Sequence, residues 1–347
     1  MSGHLTVLQQ FPVPRPTTNP YLVMLADHLR AVPGVSVQNF TWKGALLGRY
    51  DAFHIHWPEI LVSGHTPLKQ FLRQCLTVLL VIRLAITRTP IVRTVHNVEL
   101  PQGISRVEVA LLRLIDRRTD FRITLNETTT LPEDQPSILI PHGHYREWFA
   151  RHPRATQQDG RFGYFGLIRR YKGVETLIEA FRSAASTTRG LSLRVGGKPS
   201  TTELADTLTS LAGQGDDVLL DLHFLGDDEL VDIATSSELV VLPYRFMHNS
   251  GSTLAALSLD RPVLVPDNAV NRLLEAEVGP GWVHRFSGEL DAEALLSAME
   301  HVRTSARGPV TFVDRDWDLG AARHVEAYRR AIAARRGTPA PAVGAAR

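Results

Sequence analysis

The chain has 347 residues, of which 44% are hydrophobic and 21% charged, with a formal net charge of +2 at pH 7. That is room for two domains with a packed core, and so small a charge excess does not make a case for nucleic acid as a partner. A lone cysteine, Cys75, excludes an internal disulfide and a cysteine metal cluster and fits a reducing compartment; no signal-peptide pattern opens the chain, and no apolar run is long enough to span a bilayer.

Short apolar runs recur from one end to the other. Residues 5–8, 35–40, 52–56, 91–95, 121–125 and 137–140 read as one series of strands. Residues 163–166, 191–195, 219–224, 239–242 and 263–265 read as a second. Each is rich in Val, Ile, Leu or Phe and ends in a polar or glycine-containing turn. Continuous rather than alternating apolarity predicts parallel strands covered on both faces. Helical segments fall between them, most plainly at 175–185 and 292–301.

In the first series, Leu76-Thr-Val-Leu-Leu-Val-Ile82 is the longest apolar run, with Lys69, Arg73, Arg83 and Arg88 around it. It reads as a core-facing helix with basic residues on its wet edge; the competing reading lays it on an anionic membrane surface. The polar stretch 151–160 separates the series. The predicted architecture is therefore α/β, with two facing, Rossmann-like, doubly wound parallel-sheet domains over 1–155 and 156–315. A last helix over 316–335 is expected to cross the junction, ahead of a disordered tail over 336–347. Ligands of such folds bind beyond the carboxyl ends of the strands, here in the cleft between the domains.

The most informative segment runs from Val241 to Val265. Its loop ends in Asn249, Ser250, Gly251, Ser252 and Thr253, then an apolar helix begins. Free amides at such a helix start bind phosphate. No Lys-Ser/Thr pair follows the glycine as in a Walker loop, which points to a nucleotide sugar rather than to ATP. Phe165-Gly-Leu-Ile-Arg-Arg-Tyr-Lys-Gly173 adds a strand-closing Gly166 and the cations Arg169 and Lys172, which can neutralise a diphosphate held there.

Three strand ends in the first series carry histidine: His54-Ile-His-Trp-Pro-Glu59, Thr94-Val-His-Asn97 and Pro141-His-Gly-His-Tyr145. Strand alternation puts His54 and His56 on one side. The spacing lacks a helical His pair or a carboxylate cluster, so no metal is expected. Polar contacts and proton transfer are the better use. Asp314-Arg-Asp316, just before the last helix, reads as helix capping.

With these segments in view the chain resembles the GT-B glycosyltransferases. More narrowly it resembles the GDP-mannose:glycolipid 4-β-D-mannosyltransferases of xanthan-type exopolysaccharide assembly. The likeness runs from about Asn19 to Trp317. It rests on Thr18-Asn-Pro-Tyr-Leu22, Leu47-Gly-Arg-Tyr-Asp51, the three histidine motifs, Phe165 to Gly173, His248-Asn-Ser-Gly251 and Glu277-Val-Gly-Pro-Gly-Trp-Val283.

The resemblance implies an inverting transfer of mannose from GDP-α-mannose to a polyprenyl-diphosphate-linked oligosaccharide, giving a β-1,4 link. No cofactor or metal is implied. Lys172, Arg169 and residues 250–253 would hold the diphosphate; Gly166, His248, Asn249, Gly197 and Asp227 would line the sugar and nucleotide. Glu59 is the first choice of base, with His96 and His56 as rivals. Asn19, Tyr21, His54 and His144 fall on the acceptor side.

His248 and Ala256 stand where the large retaining families carry two glutamates, and Leu167 where they often carry arginine. Those departures fit inversion and leave open what holds the ribose. Working on a lipid acceptor would place the protein in the cytoplasm, at the inner face of the membrane. The excess of Lys69, Arg73, Arg83, Arg88, Arg106, Arg113, Arg117 and Arg118 over Glu99, Glu108 and Asp116 would favour anionic lipid there. Another nucleotide-sugar donor, or a non-catalytic glycan-binding scaffold of the same shape, are the competing readings.

Overall fold

The computed structural model describes residues 4–97, 100 and 103–338; Glu99 and residues 339–347 of the expected tail lie outside the described residues. Two compact units result: Met1–Gly143 with Asp314–Arg347, and His144–Val313. Residues 144–155 thus group with the second unit and the last helix, Trp317–Arg336, with the first.

The first unit holds a six-stranded sheet of β1 (Leu5–Gln9), β2 (Val35–Asn39), β3 (Ala52–Ile55), β4 (Ile91–Val95), β5 (Thr119–Thr124) and β6 (Ser137–Leu139). Its order is β2-β1-β3-β4-β5-β6 and every pairing is parallel. Alternation along the strands sorts two different faces. Leu8, Phe53, Ile55 and Ile91 point to an apolar core with Leu80, Val81, Leu84, Leu111, Leu112 and Ile115. These last six come from the helices Pro67–Ile86 and Arg106–Arg117. On the other face, His54, His56 and Thr94 are as deeply buried, among polar partners.

The second unit holds β7 (Arg161–Phe165), β8 (Ser192–Gly196), β9 (Val218–Asp221), β10 (Leu239–Val241), β11 (Val263–Pro266) and β12 (Val283–Phe286). The order is β12-β11-β10-β7-β8-β9, again all parallel. Counted from β7 this is the 3-2-1-4-5-6 order of a doubly wound sheet. β12 was not expected: Val283-His-Arg-Phe286 is four residues with two polar ones, and only its pairing with β11 declares it a strand.

Two sequence expectations are refined. The helix with the long apolar run buries Thr77, Leu80, Val81 and Leu84 but leaves Leu68, Phe71, Leu72, Leu79, Ile82 and Ile86 exposed, so it faces the core on one side only. Asp316 takes the N-cap position of the last helix without a side-chain cap bond, while Asp314, at φ 57°, pairs with Arg323.

Candidate active site

In each sheet the strand order reverses once, and in doubly wound sheets such a reversal is where ligands bind, because the two flanking loops diverge. In the second unit the reversal lies between β7 and β10. Their loops are tied together beyond the strands: the Arg245 amide donates to the Tyr171 carbonyl at 2.9 Å. Gly173, at φ 65°, sits so close to the Pro243 carbonyl that a Cβ would collide with it. Gly166, at φ 123°, closes β7. A Cβ placed on it would stand 3.3 Å from Ser252 Oγ and 3.7 Å from Lys172 Nζ. Three expected donor residues therefore converge.

Tyr244 organises that convergence. Its hydroxyl donates to Ser252 Oγ at 3.2 Å, and Lys172 Nζ lies 4.7 Å from its ring centre. Lys172 is half-buried and has no carboxylate partner among the described residues, whereas Arg170 pairs with Glu203. Arg169 is exposed beside it. At the start of the helix Gly251–Ser258, Ser250 Oγ accepts from the Thr253 amide at 3.2 Å. Thr253 itself is buried against Met247. The amides left for an anion are those of Gly251 and Ser252; Ser250 and Thr253 build the helix start instead.

In the first unit the reversal lies between β1 and β3. Here a continuous run of buried polar side chains crosses the sheet face. His96 Nε2 meets His56 Nδ1 at 3.3 Å, and His56 Nε2 meets Gln9 Oε1 at 3.1 Å. Gln9 Nε2 donates to the Tyr328 hydroxyl at 3.2 Å, which meets His54 Nδ1 at 2.7 Å; His54 Nε2 meets Thr94 Oγ1 at 2.8 Å. A carboxamide oxygen only accepts. His56 therefore carries its proton on Nε2, and His96 must donate from Nε2 to His56. Every donor runs inward from His96 to Thr94.

Burial keeps these imidazoles neutral. His54 and His56 are held well below the usual histidine range by desolvation, then by their histidine neighbours. His96 is held at about 3, and His142 and His324 at about 4, again by burial first. Tyr21 packs edge-on against His96 and His56 and close to His142 and Trp317. Its hydroxyl lies beside Thr94 without hydrogen-bond geometry, and burial raises its pKa. Gly143 is required by the same cluster, since a Cβ would run into the Trp317 indole.

Glu59 begins the short helix Glu59–Val62 just past β3. It lines a small pocket with His56, Trp57, Arg93, Asn97 and Leu112. Burial pushes its carboxyl above the ordinary value; its own amide and Arg93 oppose that shift. Arg93 gives its terminal nitrogen to Asp116 at 2.8 Å rather than to Glu59. A half-buried carboxylate without an ion-pair partner among the described residues, next to a pocket, can take a proton. His56 cannot serve, because both ring nitrogens are engaged and it is buried.

Other expected site residues take different parts. Asn19 caps the helix Pro20–Ala31 by accepting from the Tyr21 amide at 3.0 Å. His54 is wholly buried with both nitrogens bonded, so neither it nor Tyr21 presents a polar atom to an acceptor. His144 belongs to the second unit, where its ring stacks on Phe312 at 5.2 Å. Asp227 is occupied: it accepts from the Trp148 indole at 3.0 Å and faces Arg151 at 3.5 Å. Gly197, at φ 149°, lies against the Gly166 carbonyl and serves close strand-end packing. His248 and Asn249 lie in the loop leading to the Gly251 helix, and burial lowers the His248 pKa.

Gln9, Gln10, Tyr244 and Tyr328 were not anticipated. Two adjacent glutamines at the end of an apolar strand were the available signal for the first pair; Tyr328 sits in a helix with no motif around it. Among the described residues no group of three His, Cys, Asp or Glu is arranged to hold a metal ion.

Two Rossmann-like parallel-sheet units, the second with a cationic, amide-lined switch point, define a GT-B glycosyltransferase. Solved structures with this fold include sucrose-phosphate synthase from Thermosynechococcus elongatus (TM-score 0.58, 15% identity, covering 96% of this chain and 97% of that one). Anabaena HepE in complex with UDP and glucose is similar (TM-score 0.60, 14% identity, covering 96% and 100%). No family model matches the chain. Two relatives from Xanthomonas campestris pv. campestris are each 40% identical over 331 residues, 94% of this chain and 93% of theirs. Both are named GDP-mannose:glycolipid 4-beta-D-mannosyltransferase. The chain belongs to this family of mannosyltransferases.

Proposed function

We propose that the protein moves mannose from GDP-α-mannose to a hydroxyl of a polyprenyl-diphosphate-linked oligosaccharide, with inversion and without a metal, in exopolysaccharide assembly. The observation that carries this reading is the meeting of Gly166, Lys172 and Ser252 at the switch point of the second sheet. Negative charge develops on the departing GDP. Lys172, the Gly251 and Ser252 amides and the exposed Arg169 would stabilise it there.

Glu59 would accept the proton of the attacking hydroxyl. As the oxygen bonds to C1 on one face, the bond from C1 to the diphosphate breaks on the other and GDP leaves with the electron pair. A single displacement of this kind turns an α-linked donor into a β-linked product. The Glu59→Gln variant is expected to lose turnover while GDP affinity holds. Near-normal transfer by that variant would remove Glu59 from the role.

The exposed apolar side of the helix Pro67–Ile86 supports peripheral binding to the inner face of the cell membrane. Leu68 is 77% exposed, Phe71 64% and Ile86 78%, and no helix among the described residues is long and apolar enough to cross a bilayer. Lys69, Arg88, Arg106, Arg113 and Arg117 are exposed nearby in sequence. Arg73 and Arg83 are not available for lipid, since they bond to Ser63 and Tyr50.

A further inference from the structure

We propose that Gln10 is a positioning residue for Glu59: its carboxamide stands in for the missing strand partner beyond β3 and fixes the turn from which Glu59 projects. This deepens the assignment of Glu59 as base and rests on it.

β1 and β3 pair up to Gln9 and His54, and the Gln10 amide makes one more rung to the His54 carbonyl at 2.9 Å. There the β1 main chain turns toward the other neighbour, where the Phe11 carbonyl accepts from the Phe40 amide at 2.8 Å. The amides of His56 and Trp57 would be left without an acceptor from β1, in a buried setting where an unmade hydrogen bond is costly.

The side chain of Gln10, 5% exposed, fills that gap. Its Oε1 accepts from the His56 amide and the Trp57 amide, each at 2.9 Å. Its Nε2 donates to the Trp57 carbonyl at 2.5 Å. That same carbonyl accepts from the Ile60 amide at 3.1 Å, the first turn of the helix that Glu59 begins. One carboxamide thus grips the peptide groups that set the entry angle of this helix. His56 is fixed from a second side by Gln9 through its ring, and Trp57 by stacking on His96 at 4.3 Å. Only a group with acceptor and donor in one fork meets these three demands. A glutamate of equal size would put a carboxylate oxygen against the Trp57 carbonyl.

The test compares Gln10→Glu and Gln10→Met with the full-length wild-type enzyme. A misaimed base costs on the order of a hundredfold in kcat. Both variants are expected to lose about that much while GDP affinity, set in the other unit, stays within about twofold. The low-pH limb of kcat/KM, which reports the Glu59 carboxyl, is also expected to shift, because its surroundings change; a merely structural role would leave that limb in place. Circular dichroism and GDP binding confirm folding, and whichever variant folds decides the matter. Wild-type kcat and an unmoved pH limb in a folded variant would overturn the proposal. If the Glu59→Gln variant is dead while the Gln10 variants are normal, Gln10 alone loses its role. An active Glu59→Gln variant removes the reading beneath it.

Discussion

Removing the Lys172 ammonium probes the proposed donor site. The side chain has no carboxylate to release among the described residues, and its Nζ is poised over Tyr244 close to Ser252. A hydrogen bond to a charged group contributes about 1.5–3 kcal/mol. At about 1.4 kcal/mol per tenfold, that predicts GDP binding weakened by about 10- to 150-fold in Lys172→Ala. Half-exposure and salt place the expected value toward the lower end, about 10- to 30-fold near physiological ionic strength. Calorimetric titration of GDP reads it directly. Because the interaction is between charges, the gap between wild type and variant should narrow as salt is raised. Lys172→Arg keeps the charge but not the compact donor and should fall between the two. A GDP affinity unchanged to about twofold at low salt in Lys172→Ala would refute the phosphate assignment.

Gly166→Ala places a methyl beside Ser252 and Lys172 at a φ that L-residues rarely adopt, a strain of about 1–3 kcal/mol. Weaker GDP binding and a lower melting temperature are expected together, and an unaltered GDP affinity would mean the strand end stands away from the ligand. Stability should fall in mild acid. His54, His56, His142 and His324 are buried and neutral with folded pKa values below the unfolded one. The unfolded chain therefore binds more protons as pH drops below about 6.5, costing up to roughly 1.4 kcal/mol per histidine per pH unit until the folded values are reached. Urea midpoints that stay constant from pH 7 to about pH 5 would contradict this. Flotation with anionic vesicles should fail for a Phe71→Asp, Leu72→Asp variant and weaken with salt; binding indifferent to both would count against the membrane face.

Much of the fold was legible because parallel strands buried on both faces read as plain apolar runs. β4 was bounded to the residue, and the other anticipated strands to within a few residues at their ends. β12 escaped because His284 and Arg285 interrupt its apolarity, and its strand character comes from β11. The convergence of Gly166, Lys172 and Ser252 was legible because Gly166, Lys172 and residues 249–253 carry backbone and charge requirements that few other residues meet; their use in holding the donor is the proposal. Which amides stay open was not: the Ser250 hydroxyl claims the Thr253 amide, a local choice invisible in composition.

His54 and His56 were read correctly as sharing one side of their strand, but their burial was not foreseen. Tyr328 and Gln9 arrive from distant parts of the chain to bond His54 and His56, which become core residues, while Tyr21 is buried by packing on His56, His96, His142 and Trp317. Asn19 and Asp227 show the same limit. Each is a polar residue at a loop end, and each is bonded within the fold, to the Tyr21 amide and to Trp148.

The most direct test is the product itself. Purified protein, GDP-mannose and a lipid-linked oligosaccharide acceptor are combined in the presence of EDTA, and the new linkage is examined by NMR at the anomeric carbon. The account predicts transfer of a single mannose in the β configuration, undiminished by the chelator. An α-linked mannose, no transfer from GDP-mannose, or a reaction abolished by EDTA and restored by a divalent cation would contradict it.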